Sequence, residues 1–338
     1  MSPRFGTTAR SRVAISMGDP GGIGPEVVLK AIAARALGAS VDPILVGDAG
    51  VWEETARRLR LPLRFSDSYR RGHLMLALTS ELTARQRTPG APRDAAVAAV
   101  RGEAAYRAIL KGVRLVQSGD AAALVTAPIN KAHVAAAGHH FPGHTELLAH
   151  LCGDVPVRMM MVGGQLRVVL ATTHVALAQV PRCLDRDSVL ETILLTAAAL
   201  RRQFGIAAPR LAVCGLNPHA GESGLFGDEE VRVIAPAVST ARRRGVQVLG
   251  PLAADGIFAQ SGMNGYCDAI VCMYHDQGLA PFKLVHFADG VNFTVGLPFV
   301  RTSPDHGTAF DIAGSGRADP RSMAAALQLA AQLSGMPR

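Results

Sequence analysis

The sequence predicts an α/β fold divided into two lobes, and three observations lead to it. Strand-like and helix-like segments alternate along the whole chain, the pattern of helices packed on a mainly parallel sheet. Several of the strand-like segments are unbroken runs of Val, Leu, Ala and Ile without polar alternation, as expected of strands buried on both faces. At 338 residues the chain also exceeds the roughly 250–300 residues at which a single core stops growing.

The elements follow in order. RVAISM is a strand that passes through GDPGGIGPEVVLKAIAARAL into a helix, and DPILVG is a second strand feeding the helix DAGVWEETARRLRL. The Pro/Arg/Gly-rich stretch RQRTPGAPRDA breaks the pattern before a long helix, AAVAAVRGEAAYRAILKGVRLV. After the strand AALVTAP a short helix is expected from Asn130 to about Gly138, then another in HTELLAHLCG. In DRDSVLETILLTAAALRRQFG the spacing of Ser188 and Glu191 predicts a capping box, and Gly205 stands where the helix stops. RSMAAALQLAAQLSG is the last helix.

Composition narrows the function classes. Charged residues make up 18% and hydrophobic residues 49%, which excludes a disordered chain. No apolar run approaches the roughly 18 residues that span a bilayer, so no membrane role is expected. The N-terminus MSPRFGTTARSR lacks the apolar stretch of a secretory signal, which makes the cytoplasm the expected location. The cysteines, Cys152, Cys183, Cys214, Cys267 and Cys272, show no paired metal spacing and are expected as core thiols. A formal charge of +8 comes from scattered arginines without interleaved aromatics. That excess suits an anionic metabolite and predicts no nucleic-acid partner.

The chemistry concentrates where apolar runs end. LRVVLATTH closes on His174, LAVCGLNPH on His219 and DAIVCMYH on His275. Ligands of parallel sheets gather outside the carboxyl ends of the strands, so three imidazoles at such ends are candidates for one divalent metal, Zn2+ by ligand type. Any single histidine is more often a structural or surface group, and the shared position after a strand favours the metal. Two loops suggest anion binding. GDPGGIGPEV carries Gly18, Gly21, Gly22 and Gly24 into a helix start but matches no nucleotide fingerprint, so it reads equally as a tight turn. In PGHTELLAH, His144 and Thr145 open a helix, and Thr145 reads equally as an N-cap. Further on, Lys283, Asn292 and Arg301 are embedded in apolar, glycine-broken sequence. They read as an anion clamp, with Arg301 gripping carboxylate or phosphate and Lys283 acting as point charge or proton shuttle.

GDPGGIGPE, TAPINK, FPGHTE, ATTHVAL, GLNPHAGE, GPLAADGIF, MYHDQGL and GLPFVRTSPDHGTAFDIAG occur in that order from Gly18 to Gly314. In these motifs the chain resembles the 4-hydroxythreonine-4-phosphate dehydrogenases of vitamin B6 biosynthesis, which are in turn similar to the β-decarboxylating isocitrate and isopropylmalate dehydrogenases. The resemblance implies a two-lobed fold with a central cleft, residues 1–128 with 297–338 forming the NAD-side lobe and 129–296 the lobe for metal, substrate and dimer contacts. It implies a homodimer acting on a phosphorylated small molecule. NAD is the implied cofactor, with NADP as the alternative, together with one divalent ion per subunit, Zn2+ or else Mg2+ or Co2+. By the same resemblance His174, His219 and His275 hold the metal, and His144, Thr145, Lys283, Asn292 and Arg301 contact the substrate. Lys283 and Asp255 are the catalytic candidates, Asp255 being supplied across the dimer interface. His306, Gly307, Thr308 and Asp311 line the adenosine half of NAD.

The implied reaction is oxidation of 4-phosphohydroxy-L-threonine at its C3 hydroxyl, then decarboxylation to 3-amino-2-oxopropyl phosphate. Three positions depart from the family's pattern: Gly256 follows Asp255 in place of Thr or Ser, Ser223 interrupts a glycine pair, and LVHF follows Lys283 in place of a tyrosine-containing segment. They keep open a paralogous dehydrogenase of D-threonate or D-erythronate 4-phosphate, or of an aromatic cis-diol dicarboxylate. A different class, a non-catalytic ligand- or nucleic-acid-binding protein on the same fold, is disfavoured by the unbroken set of ligand and clamp residues.

Overall fold

The structure is a computed structural model that describes residues 11–38, 41–164 and 166–335, apart from the side chains of 261–264. Most of the N-terminal dozen residues therefore lies outside the described ones. The chain divides into two compact units, residues 1–151 with 299–335, and residues 152–298.

The first unit begins with β1 (Ser11–Ser16), α1 (Gly24–Ala33), β2 (Val41–Gly47) and α2 (Ala49–Arg58). Asp48 caps α2, its carboxylate accepting from the backbone N–H of Val51 at 2.9 Å. There follow β3 (Phe65–Ser66), β4 (Leu74–Leu78), α3 (Ala84–Arg87), α4 (Ala95–Gln117), β5 (Ala123–Thr126), α5 (Lys131–Ala136) and α6 (His144–Leu151). The unit's strand order is β3-β4-β2-β1-β5, extended past β5 by a later strand, Val300–Pro304, and every pairing is parallel. Val13, Ala14, Ile15, Leu45, Val46, Leu124 and Val125 are fully buried, as the unbroken apolar runs predict for strands covered on both faces.

Residues 129–151, expected with the second lobe, belong to the first unit. Asn130 caps α5 and, at Gly102 of α4, a methyl group would stand 1.9 Å from the carbonyl oxygen of His133, so α4 and α5 meet backbone to backbone. The buried His133 Nδ1 pairs with Asp19 at 2.6 Å, and His139 Nε2 with Glu103 at 2.7 Å.

The second unit contains β6 (Arg158–Gly163), β7 (Leu166–Leu170), α7 (Val180–Cys183), α8 (Arg186–Arg202), β8 (Arg210–Cys214), α9 (Ala235–Arg243), β9 (Gln247–Leu252), α10 (Ala254–Asn264), β10 (Ala269–Cys272), α11 (His275–His286) and β11 (Val291–Val295). Its strand order is β11-β6-β7-β10-β8-β9, with β7, β10, β8 and β9 parallel and β6 antiparallel to both its neighbours. Met161, Val168, Leu170, Ala212, Ile270, Leu279 and Phe282 pack in its core. The first unit is completed by β12 (Val300–Pro304) and α12 (Arg321–Ser334).

Two local expectations are corrected. The capping box of α8 sits one turn earlier than Ser188–Glu191: Asp185 is the cap and Ser188 the reciprocating residue, with bonds of 2.7 and 3.2 Å. Aspartate caps as well as serine, and the earlier position gains the extra turn. Of the five cysteines, Cys214 and Cys272 are buried in strands, whereas Cys183 is exposed.

Candidate active site

Three consecutive strands of the second unit carry the candidate metal ligands. β7, β10 and β8 lie side by side and parallel, so their carboxyl ends, followed by His174, His275 and His219, share one edge of the sheet. Hydrogen bonds beyond the strands hold the segments together. Ala171 N–H donates to the carbonyl of Cys272 at 2.8 Å, and the buried Thr172 hydroxyl donates to that of Met273 at 2.7 Å. Gln277 bridges the other side: its oxygen accepts from Met273 N–H, and its amide donates to the carbonyl of Gly215, both at 2.7 Å.

His174 and His275 are brought together, with ring centroids 5.7 Å apart. Nδ1 of His275 meets the Asp276 carboxylate at 2.7 Å, which fixes the ring and leaves Nε2 as the candidate nitrogen for a metal. His219 is exposed and tilts against Phe226 at 6.2 Å. Among the described residues no three His, Cys, Asp or Glu side chains stand close enough to hold an ion together. Three imidazoles are a donor set of the kind that suits a borderline divalent metal; His174 and His275 are adjacent, and His219 stands apart from them on its turn. That turn is unusual. His219, Ala220, Gly221, Glu222 and Ser223 all have positive φ, between 42° and 77°, a left-handed run of mostly non-glycine residues.

Other predicted residues of the second unit are placed as follows. Lys283 lies half-buried on α11, and Asn292 on β11 has a shielded side-chain oxygen that accepts no hydrogen bond. Asp255 is exposed in the first turn of α10, its carboxylate accepting from Gly256 N–H at 2.8 Å. A side chain at Gly256 would meet nothing within 4 Å, so the chain itself does not demand glycine there.

The first unit holds the anion-binding candidates. Arg301 lies on β12 and is 1% exposed, donating to the Thr126 hydroxyl at 2.6 Å. Burial pushes its pKa down to about 9, against a smaller upward pull from Glu146. It is still charged at neutral pH, and an anion beside it regains the electrostatic energy that burial withholds. His144 and Thr145 are the first two residues of α6, so neither is its cap and both sit at its unpaired amides. Nε2 of His144 is shielded with no hydrogen-bond partner. Burial, then Arg301 and Lys131, hold this imidazole well below its ordinary pKa, hence neutral at pH 7.

The glycine-rich loop is a built turn. The buried Asp19 accepts from Gly21 N–H at 2.9 Å and is clamped by His133, while a methyl at Gly18, φ +70°, would stand 2.3 Å from the Pro128 carbonyl. Ile23 N–H donates to the Thr308 carbonyl at 2.9 Å, so this turn supports the segment of His306, Gly307, Thr308 and Asp311. His306 is held below its ordinary pKa by burial, and Asp311 is exposed. Sequence reasoning missed the Asp19–His133 pair and Arg101, which is 2% exposed and donates to the carbonyls of Gln86, Thr88 and Gly90. Their partners lie far off in sequence or on the backbone, and no local pattern signals them.

The profile of the family described as "Pyridoxal phosphate biosynthetic protein PdxA" matches residues 39–330. The chain belongs to the PdxA family. It is 47% identical to a 4-hydroxythreonine-4-phosphate dehydrogenase of Geobacter metallireducens over 96% of each chain. A D-threonate 4-phosphate dehydrogenase of Pectobacterium atrosepticum is 42% identical, covering 95% of this chain and 99% of the relative. Among solved structures, the 4-hydroxythreonine-4-phosphate dehydrogenase of Klebsiella pneumoniae superposes with a TM-score of 0.86 at 42% identity, over 98% of this chain and all of the other. The α/β fold expected from alternating segments is thus the fold of this relative. Among the described residues no helix is long and apolar enough to cross a membrane.

Proposed function

We propose that this PdxA-family chain is an NAD- and divalent-metal-dependent dehydrogenase that oxidises the C3 hydroxyl of 4-phosphohydroxy-L-threonine and releases CO2 to give 3-amino-2-oxopropyl phosphate. The observation that carries the reading is the row of His174, His275 and His219 at the carboxyl ends of three adjacent parallel strands. When bound there, a divalent ion supplies Lewis acidity toward hydroxyl and carbonyl oxygens, and NAD supplies the hydride acceptor.

The chain's residues do the rest. Arg301 and the neutral His144, at the amino end of α6, bind the anionic end of the substrate, and Thr145 donates beside them. Lys283, as the neutral amine, would accept the proton of the C3 hydroxyl, and Asn292 would orient the polar backbone of the substrate. His306, Gly307 and Thr308 receive the adenosine half of the dinucleotide, with the exposed Asp311 for its ribose hydroxyls. NAD is assigned over NADP because an acidic residue at that position disfavours a 2′-phosphate. The active form is a homodimer in which Asp255 serves the neighbouring subunit. This is supported by the exposure of Asp255 and by Leu284 and Phe287, apolar side chains 87% and 80% exposed at the end of α11. Zn2+ is the ion assigned by donor type, and the cytoplasm is the assigned location.

A second reading, D-threonate 4-phosphate as substrate, is supported by the Pectobacterium relative. The two substrates differ by an amine against a hydroxyl at C2, a difference that a polar site can resolve strongly. NADH formation by metal-loaded enzyme with each compound decides between them: preference for the amino acid phosphate supports the first reading, and preference for the sugar-acid phosphate replaces it with the second.

A further inference from the structure

Within the segment His306–Asp311 the backbone is strained at Ala309. Its φ of +38° lies in the left-handed region, which an L-residue keeps only where its surroundings over-determine it. Two anchors flank the residue. On one side the Thr308 carbonyl accepts from Ile23 N–H at 2.9 Å, and a methyl at Gly22 would stand 3.1 Å from Thr308. On the other the Phe310 ring stacks on His133 of α5, with ring centroids 5.4 Å apart and planes inclined by 28°.

Both anchors lead back to one buried carboxylate. Asp19 is fully buried; Oδ1 accepts from Gly21 N–H at 2.9 Å, and Nδ1 of His133 donates to Oδ2 at 2.6 Å. Gly22 N–H donates to the Asp19 carbonyl at 3.0 Å, and Asp19 N–H to that of Pro128 at 2.9 Å. Asp19 thus shapes the turn that delivers Ile23 to Thr308 and orients the ring on which Phe310 rests. Arg101 of α4 is close enough to Asp19 for their charges to attract. It also donates to the Gly90 carbonyl at 2.7 Å, while Gly90 N–H donates to that of Gly21 at 2.8 Å.

The anchored segment offers an acceptor that the chain itself does not use. Burial keeps His306 neutral at pH 7; its Nδ1, 3.1 Å from the Gly307 carbonyl, carries the proton, and Nε2 is a shielded acceptor without a hydrogen-bond partner. A methyl at Gly307 would meet nothing within 4 Å. An amino or hydroxyl donor fits beside these residues, and the adenosine half of a dinucleotide carries both.

We infer that Asp19 and His133 are positioning residues for the segment His306–Asp311: through Thr308 and Phe310 they hold the strained turn at Ala309 and so set the affinity for the dinucleotide without touching it. The inference rests on the proposed placement of NAD at His306, Gly307, Thr308 and Asp311, and names what keeps that segment in shape.

The test is a fluorescence titration of NADH into full-length protein, with KM for NAD, KM for the phosphorylated substrate, kcat and the unfolding midpoint measured on the same preparations. Wild type is expected to bind. His133→Phe keeps a ring against Phe310 and removes the donor to Asp19, leaving a buried carboxylate without its partner. It is expected to weaken NADH binding about tenfold and to raise KM for NAD by a similar factor, with kcat and KM for the phosphorylated substrate within about twofold of wild type. Phe310→Leu leaves Asp19 and His133 in place and removes the ring contact; an expected loss of about threefold in NADH affinity decides the matter should His133→Phe not fold. Wild-type NADH affinity in both variants overturns the positioning role. So does a lowered unfolding midpoint with unchanged NADH affinity, or a loss spread equally over kcat and both KM values. Absence of NADH binding by wild type, or unchanged affinity in a variant carrying both His306→Ala and Asp311→Ala, overturns the placement of the dinucleotide itself, a result distinct from failure of Asp19 and His133 alone.

Discussion

Arg301 pairs a cost in stability with a use in binding. A guanidinium 1% exposed on β12 stabilises the fold less than an apolar side chain of similar size, because removing it from water costs several kcal/mol. Arg301→Met is therefore expected to leave the unfolding midpoint unchanged or raised while raising KM for the phosphorylated substrate about 100-fold, equivalent to about 2–3 kcal/mol for charge-assisted hydrogen bonds. Steady-state kinetics and thermal unfolding of the same sample check both halves. His144 adds a pH signature. Its folded pKa lies below the unfolded value of about 6.5, so its contribution to stability is complete above that pH and is lost as pH falls toward the folded value. Thermal midpoints measured from pH 8 downward should fall below about pH 6.5 in wild type and fall less in His144→Gln; identical profiles would contradict this placement of His144.

That His174, His219 and His275 follow strand ends was legible in the sequence, because unbroken apolar runs mark strands buried on both faces. Arg301 was legible for the same reason, in a segment that offers no polar face. Asp19 with His133, and the buried Glu230 with the backbone N–H groups of Leu216 and Asn217, were not. Each is an acidic residue whose partner is a distant ring or a backbone N–H, and in sequence it looks like any solvated charge.

At the scale of elements, close backbone approach fixes the packing. Gly102→Ala raises helix propensity by about 1 kcal/mol, yet its methyl meets a backbone carbonyl that no rotamer change can move aside. A net loss of about 2 kcal/mol or more is expected in urea unfolding, and stabilisation would show that α5 does not rest on α4 as described. The sequence foretold α1, α2, α4, α8 and α12 from periodicity and stop signals. It misplaced the cap of α8 by one turn because Asp185 and Ser188 are both competent caps three residues apart. The left-handed turn after β8 was beyond it, since Ala220, Glu222 and Ser223 carry no local preference for positive φ and adopt it under the hold of Glu230 and Gln277.

For the whole molecule, the proposed metal centre ties three strand ends to one ion. Binding to the folded chain alone must raise stability by mass action, by about 2.7 kcal/mol at a cation concentration 100 times the dissociation constant. The unfolding midpoint should therefore climb with added Zn2+ or Co2+ in wild type and stay flat in His275→Ala. The most direct measurement is NADH formation by the metal-loaded enzyme from 4-phosphohydroxy-L-threonine, with and without a chelator, beside His219→Ala. Turnover that the chelator abolishes, that returning Zn2+ or Co2+ restores and that His219→Ala lacks is the predicted result. Turnover that survives chelation and the loss of His219 would contradict a three-histidine metal centre.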